Sequence, residues 1–305
     1  MISFKLLALL ALVVPVPAAA QSADEDDVLI PDAPSPGDEH AIVVTGDREK
    51  QDRAVRDLTR QVTARARIDK PLSRFYQPMC LKIIGIKPDY AGVLAERIED
   101  NARKAGAPIG REGCTPNALL IFTKDGREAV ETLRQDEPWL FTGLLDREFT
   151  RMMAGNGAAF AWETVELKGV DGRPIRIQQL EINGSRRDVP INEQFQTGRL
   201  NPPIRLDTSG SVVLIDIGHI PGKTLVQLAD YATVRLISPG EDAPPGVEYG
   251  ISTILSLFTA PEIAPPELTR FDMSYLKALY QLRPNAKAVS ILDATAAAYR
   301  RSDEE

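Results

Sequence analysis

Histidine is the scarcest chemical resource in this sequence, with 2 in 305 residues, and only 2 cysteines stand beside them. Metal centres built from several imidazole or thiolate ligands are thereby nearly excluded, and no metal or cofactor is expected. The chain has no Gly-x-Ser-x-Gly elbow, no Gly-x-x-x-x-Gly-Lys phosphate loop and no Gly-x-Gly pattern opening a helix after a strand. Positive charge is also short. Lys and Arg number 36 against 43 Asp and Glu, a formal net charge of -7, which gives a nucleic-acid-binding surface no support. No apolar run reaches the roughly 20 residues of a membrane-spanning helix. What is present is ordinary globular material, 43% apolar and 26% charged.

The N-terminus explains part of that balance. Lys5, an apolar run from Leu6 to Val16 and the small residues Ala18, Ala19 and Ala20 predict a secretory signal peptide over residues 1–20. The expected product is exported to the periplasm, without a membrane span after cleavage. Residues 21–46 read as an acidic disordered leader, because Gln21 to His40 holds seven acids, no Lys or Arg and three prolines. The remainder is close to neutral. At the end of the leader, Ile42-Val43-Val44-Thr45-Gly46 resembles the TonB box of outer-membrane receptors, a segment that adds as a strand to a partner. The blander expectation is a first strand, or a sticky piece of the leader.

Residues 47–305 predict a single α+β region, a mixed sheet with packed helices, with a subdivision possible near 183–209. Val55, Leu58 and Val62 suggest a helix over Asp47 to Arg65. Pro88 to Ala105 is the clearest helix, with Tyr90, Leu94, Ile98 and Ala102 in one stripe and Gly106 as its C-cap. Asn117 to Thr123 and Ser211 to Ile217 read as buried strands, and Leu72 to Ile86 as one or two more. Ala159 to Lys168 and Ile175 to Ile182 flank Asp171-Gly172 as a hairpin, while 183 to 209 reads as an irregular excursion. Further helices are expected at Gly126 to Arg134, Leu144 to Met153, Lys223 to Ile237, Thr269 to Leu282 and Asn285 to Arg301. Glu163 and Glu166, an acid pair on a charged strand, read as solvated surface.

Cys80 and Cys114 are expected to form a disulfide, since an exported chain matures in an oxidising compartment. A nucleophilic thiolate is the weaker alternative, because neither histidine is near in sequence.

The strand, turn and helix from Ser211 to Ile237, followed by Leu268-Thr269-Arg270-Phe271-Asp272 and Leu276 to Tyr280, resemble a family of exported bacterial proteins related to the zincin metallopeptidases. The resemblance implies a zincin-like C-terminal half. In zincins a helical His-Glu-x-x-His supplies two zinc ligands and a general base; here Lys223, Thr224 and Gln227 fall at those positions, so the resemblance implies a non-catalytic relative. Lys223, Gln227 and Asp230 form one polar stripe, either a solvated face or a ligand-binding groove, and His219 lies just before the helix.

Three functions follow as expectations. The first is a non-catalytic, exported protein that binds a peptide or an envelope protein. The second is a periplasmic hydrolase of another class. The third is a TonB-interacting accessory protein acting through residues 41–46.

Overall fold

A computed structural model describes residues 36–63, 69–191, 202–243 and 250–302. The expected signal peptide and residues 21–35 of the leader lie outside the described residues. The chain divides after Val44, and the features below belong to the compact unit from Thr45 to Glu305 unless stated. Among the described residues, seven helices accompany a mixed four-stranded sheet and a separate hairpin, the α+β class expected.

Helix α1 runs Pro36–Val62. Its described span reaches back to Pro36, upstream of the expected start at Asp47. The backbone of Ile42–Gly46 is therefore helical, not the extended segment that strand addition requires. Val55, Leu58 and Val62 are fully buried, as their spacing predicts.

The sheet has the order β1-β2-β6-β3, from β1 Leu81–Ile84, β2 Ala118–Thr123, β3 Ala159–Gly169 and β6 Ile204–Asp216. β1, β2 and β6 are parallel, and β3 runs antiparallel to β6. α2, Pro88–Ala105, connects β1 to β2 and ends at Gly106, whose left-handed φ of 93° lets its N–H reach the carbonyls of Ala102 and Arg103. Leu94, Ile98 and Ala102 are buried, whereas Tyr90 is exposed at the start of the helix. The Cys80–Cys114 disulfide forms as expected and pins the chain just before β1 to the approach to β2. Closing a loop of that length is worth about 3–4 kcal/mol in the chain-entropy view.

Two cores sandwich the sheet. On one face Ala161, Val213 and Ile215 pack with α1, α2, α5 (Leu225–Ile237), α6 (Arg270–Gln281) and α7 (Ser290–Arg301). On the other, Phe160, Trp162, Val212 and Leu214 pack with α3 (Gly126–Asp136), α4 (Asp146–Met153) and the short turn Pro138–Phe141. Strict alternation along β3 and β6 divides the side chains between the faces.

Two expectations need correction. A turn exists at Asp171-Gly172, with Gly172 at φ 86°, but its flanks share only the Lys168–Pro174 bridge. β3 pairs instead with β6 along its length, because Phe160 and Trp162 find apolar neighbours on a central strand. Residues 183–209 are not simply irregular. They hold the turn Asn183-Gly184, β5 Ser185–Ile191 and the start of β6. Asn183 and Gly184 both have positive φ, 52° and 73°, the conformation a two-residue hairpin turn demands, and β5 pairs with β4, Arg176–Ile182.

Candidate functional site

The polar stripe of α5 is largely consumed by the fold. The helix starts at Leu225, so Lys223 lies outside it. Thr224 is the N-cap: its hydroxyl accepts from the Gln227 N–H at 3.1 Å, and Gln227 Oε1 accepts from the Thr224 N–H at 3.1 Å. This reciprocal pair is a capping box, a helix-start signature. Gln227 Nε2 donates to the Pro265 carbonyl at 2.9 Å. Of the three positions compared with a zinc-binding motif, Thr224 and Gln227 thus serve to begin and dock a helix, and Lys223 lies before it.

Asp230 has 0% exposure. Oδ1 accepts from Arg97 Nε at 2.6 Å and Asn101 Nδ2 at 2.7 Å; Oδ2 accepts from Arg97 Nη2 at 2.7 Å and the Leu268 N–H at 2.6 Å. Four donors fill the carboxylate. It ties α2, α5 and the entry to α6 together, neither a solvated face nor a groove. Lys223 is half-buried, its ammonium 5.2 Å from the Phe258 ring centroid, and burial lowers its pKa. His219 is exposed in the turn after β6, with Nδ1 3.7 Å from Asp216 Oδ1. Among the described residues, no group of three or more His, Cys, Asp or Glu is placed to hold a metal ion.

The concave surface lies elsewhere, along the outer edge of β3. β3 is the last strand of its sheet. The Asp216 N–H donates to the Ala158 carbonyl at 2.9 Å, which sets the phase of the ladder. In an antiparallel pair the bonding direction alternates, so Phe160 and Trp162 turn their backbone groups toward β6. Ala159, Ala161 and Glu163 turn theirs away, toward a side with no described strand. A register shift falls between Thr164 and Val165.

Two cavities follow this edge, one of about 320 Å³ from Ala161 to Val165 and one of about 300 Å³ beside Ala159 and Ala161. They share Ala161 and Arg235 and are lined from both sheet faces, so they adjoin along the strand edge as a two-part groove. One wall carries Leu72, Ser73 and the segment Arg235 to Asp242. The other carries Leu144, Leu145 and Met152. The second wall is braced by the Leu140 carbonyl, which accepts from Trp162 Nε1 at 2.9 Å and Thr164 Oγ1 at 3.1 Å. Phe141 stacks on Trp162 at 4.7 Å. Glu163 is not solvated surface: Oε1 accepts from Ser73 Oγ at 2.5 Å and Oε2 from Thr208 Oγ1 at 2.9 Å. Glu166 is exposed and pairs with Lys168.

Comparison with protein families, with characterised proteins and with solved structures finds no match to this chain. The likeness to zincins rests on the quoted residues alone, and the site has to be read from its own geometry.

Arg235 is the residue that sequence reasoning missed. It is 8% exposed, near the C-terminus of α5, and it lines both cavities. Nη1 reaches Asp242 Oδ1 at 3.2 Å, and the same oxygen accepts from the Tyr231 hydroxyl at 2.7 Å. Arg235 Nε is buried with no hydrogen-bond partner. Its pKa is raised: burial opposes the charge, and Asp242, Tyr231 and Glu241 outweigh it. A signal for it existed. Residues 228 to 237 read Leu-Ala-Asp-Tyr-Ala-Thr-Val-Arg-Leu-Ile, an almost apolar run, and an arginine inside such a helix is buried only when something answers it.

Proposed function

We propose that this protein binds an extended peptide by strand addition along the outer edge of β3, as an exported, non-catalytic binding protein. The observation that carries the reading is the groove itself, two adjoining cavities over a strand edge that no described strand covers. Main-chain donors and acceptors at such an edge supply affinity whatever the peptide's sequence, and the walls supply selectivity. Engagement of both oxygens of Glu163 within the floor favours binding over general-base chemistry. The disulfide supports export to an oxidising compartment.

Ala161→Pro tests the reading. It removes one outward N–H while leaving the β3–β6 ladder intact, since proline is tolerated on a strand edge. Peptide affinity measured by fluorescence anisotropy is expected to fall about tenfold or more, the worth of one buried hydrogen bond, with the circular dichroism spectrum unchanged. Unchanged affinity in a folded variant removes strand addition.

A further inference from the structure

The sequence holds two Asn-Gly pairs, Asn156-Gly157 and Asn183-Gly184. Such a pair rearranges without an enzyme, because the glycine nitrogen has no neighbouring Cβ to hinder it. That nitrogen attacks the Asn side-chain carbonyl carbon. The new C–N bond closes a succinimide ring, and the side-chain nitrogen leaves as ammonia with the proton that the backbone nitrogen gives up. Water then opens the ring at one carbonyl or the other, leaving Asp or isoaspartate. Water is the one co-reactant, and nothing is oxidised or reduced. What decides the rate at each pair is whether the fold lets the Asn side chain move.

Asn156 is exposed, yet its amide is held at both ends. Nδ2 donates to the Phe258 carbonyl at 2.7 Å, and Oδ1 accepts from the Ala158 N–H at 3.0 Å. Attack on its side-chain carbon requires both bonds to break. Gly157 is also crowded, since a Cβ there would stand 3.4 Å from Arg127 Nε.

Asn183 is equally exposed, in the turn of the β4–β5 hairpin, and no side-chain hydrogen bond holds its amide among the described residues. Beside Gly184 the space is open, with no heavy atom beyond its chain neighbours within 4 Å of where a Cβ would stand. Ile182 and Ser185 form the last pair of the ladder, so the Gly184 N–H lies outside it. The left-handed turn has to relax before the ring closes. The hairpin yields readily, because β4 and β5 pair only with each other among the described strands, and two strands alone are marginally stable.

We propose that Asn183 is a self-modifying site, converted by water to Asp and isoaspartate in the folded protein, while the fold protects Asn156. Isoaspartate adds a methylene to the main chain. A two-residue turn does not absorb it, so the modification loosens the register of the hairpin.

The test incubates the mature protein in mildly alkaline buffer, beside a sample reduced and unfolded in guanidinium chloride. Trypsin releases Asn183 in the peptide Ile177–Arg186 and Asn156 in Met152–Lys168, and mass spectrometry follows the replacement of the amide nitrogen by oxygen in each. In the folded protein Asn183 is expected to convert at least about tenfold faster than Asn156, the protection that two hydrogen bonds supply. In the unfolded sample the two rates are expected to lie within about threefold, since only local sequence then separates them. Equal rates in the folded protein overturn the proposal. So does an Asn183 that stays intact while the unfolded chain converts, which would mean that the turn protects it too. A gap as wide in the unfolded chain assigns the difference to sequence and overturns it as well.

Discussion

The two ends of helix α5 carry similar side chains to opposite effect. At the N-terminal end, Thr224, Gln227 and Asp230 look like a polar surface in one dimension, yet each is matched to a defined partner. Asp230 alone takes four donors. At the C-terminal end Arg235 lines a groove, while its Nε, closed off from solvent, has no hydrogen-bond partner. A polar residue marks a site through what its partners leave over, and that remainder is not visible in spacing.

The comparison breaks most easily at Asp230. Asp230→Asn strips the charge from a buried pair and strands Arg97. Urea unfolding is expected to show a loss of about 3 kcal/mol, the low end for such pairs because the Arg97 side chain is 32% exposed. A loss below about 1 kcal/mol means that this end of the helix is not locked by the ion pair.

The C-terminal end has a different vulnerability. The Tyr280 hydroxyl donates to the Ile237 carbonyl at 2.9 Å, at the last residue of α5, and Tyr275 is fully buried in the same core. Burial raises the pKa of both phenols above the ordinary 10.0. The folded chain keeps these protons where the unfolded chain loses them, so their contribution is complete below about pH 10 and falls as pH rises beyond it. Between pH 10 and 11 the loss is expected to be about 2 kcal/mol for the pair, read from urea midpoints. Tyr280→Phe is expected to flatten that slope, and an unchanged slope assigns alkaline sensitivity to other groups.

The smallest expected effect sharpens the contrast. Lys223 has only a ring contact among its described side-chain interactions, so Lys223→Ala is expected to change stability by no more than about 0.5 kcal/mol. A larger loss places Lys223 in the locked end with Asp230.

Much of the fold was legible where the deciding forces are local. The stripe Leu94, Ile98 and Ala102 with Gly106 behind it marked α2 because burial and a left-handed cap are written within a few residues. β2 was legible as a short apolar run because both its faces are covered. The strand pairing was not, since β3 lies beside β6 across more than thirty intervening residues, and a turn at Asp171-Gly172 says nothing about which edges meet. The start of α5 was misread because Thr-x-x-Gln is a capping signal that a ligand frame overlays. The groove was illegible for the same non-local reason. Its walls come from residues 70–73, 143–156 and 235–242, three stretches with no common periodicity, and only the arginine in an apolar helix hinted at it.

The register shift between Thr164 and Val165 places its extra residue, Ser209, on β6 and leaves β3 without an insertion. A bulge bends the strand that carries the extra residue, so the irregularity falls within the sheet, and successive residues of β3 continue without an insertion past Thr164. An uninterrupted edge as long as β3 invites open-ended stacking of chains; here the backbone at Gly143 comes up beside Val165, where an added Cβ would stand 3.5 Å from the Val165 carbonyl oxygen, so that part of the edge is shielded by the chain itself.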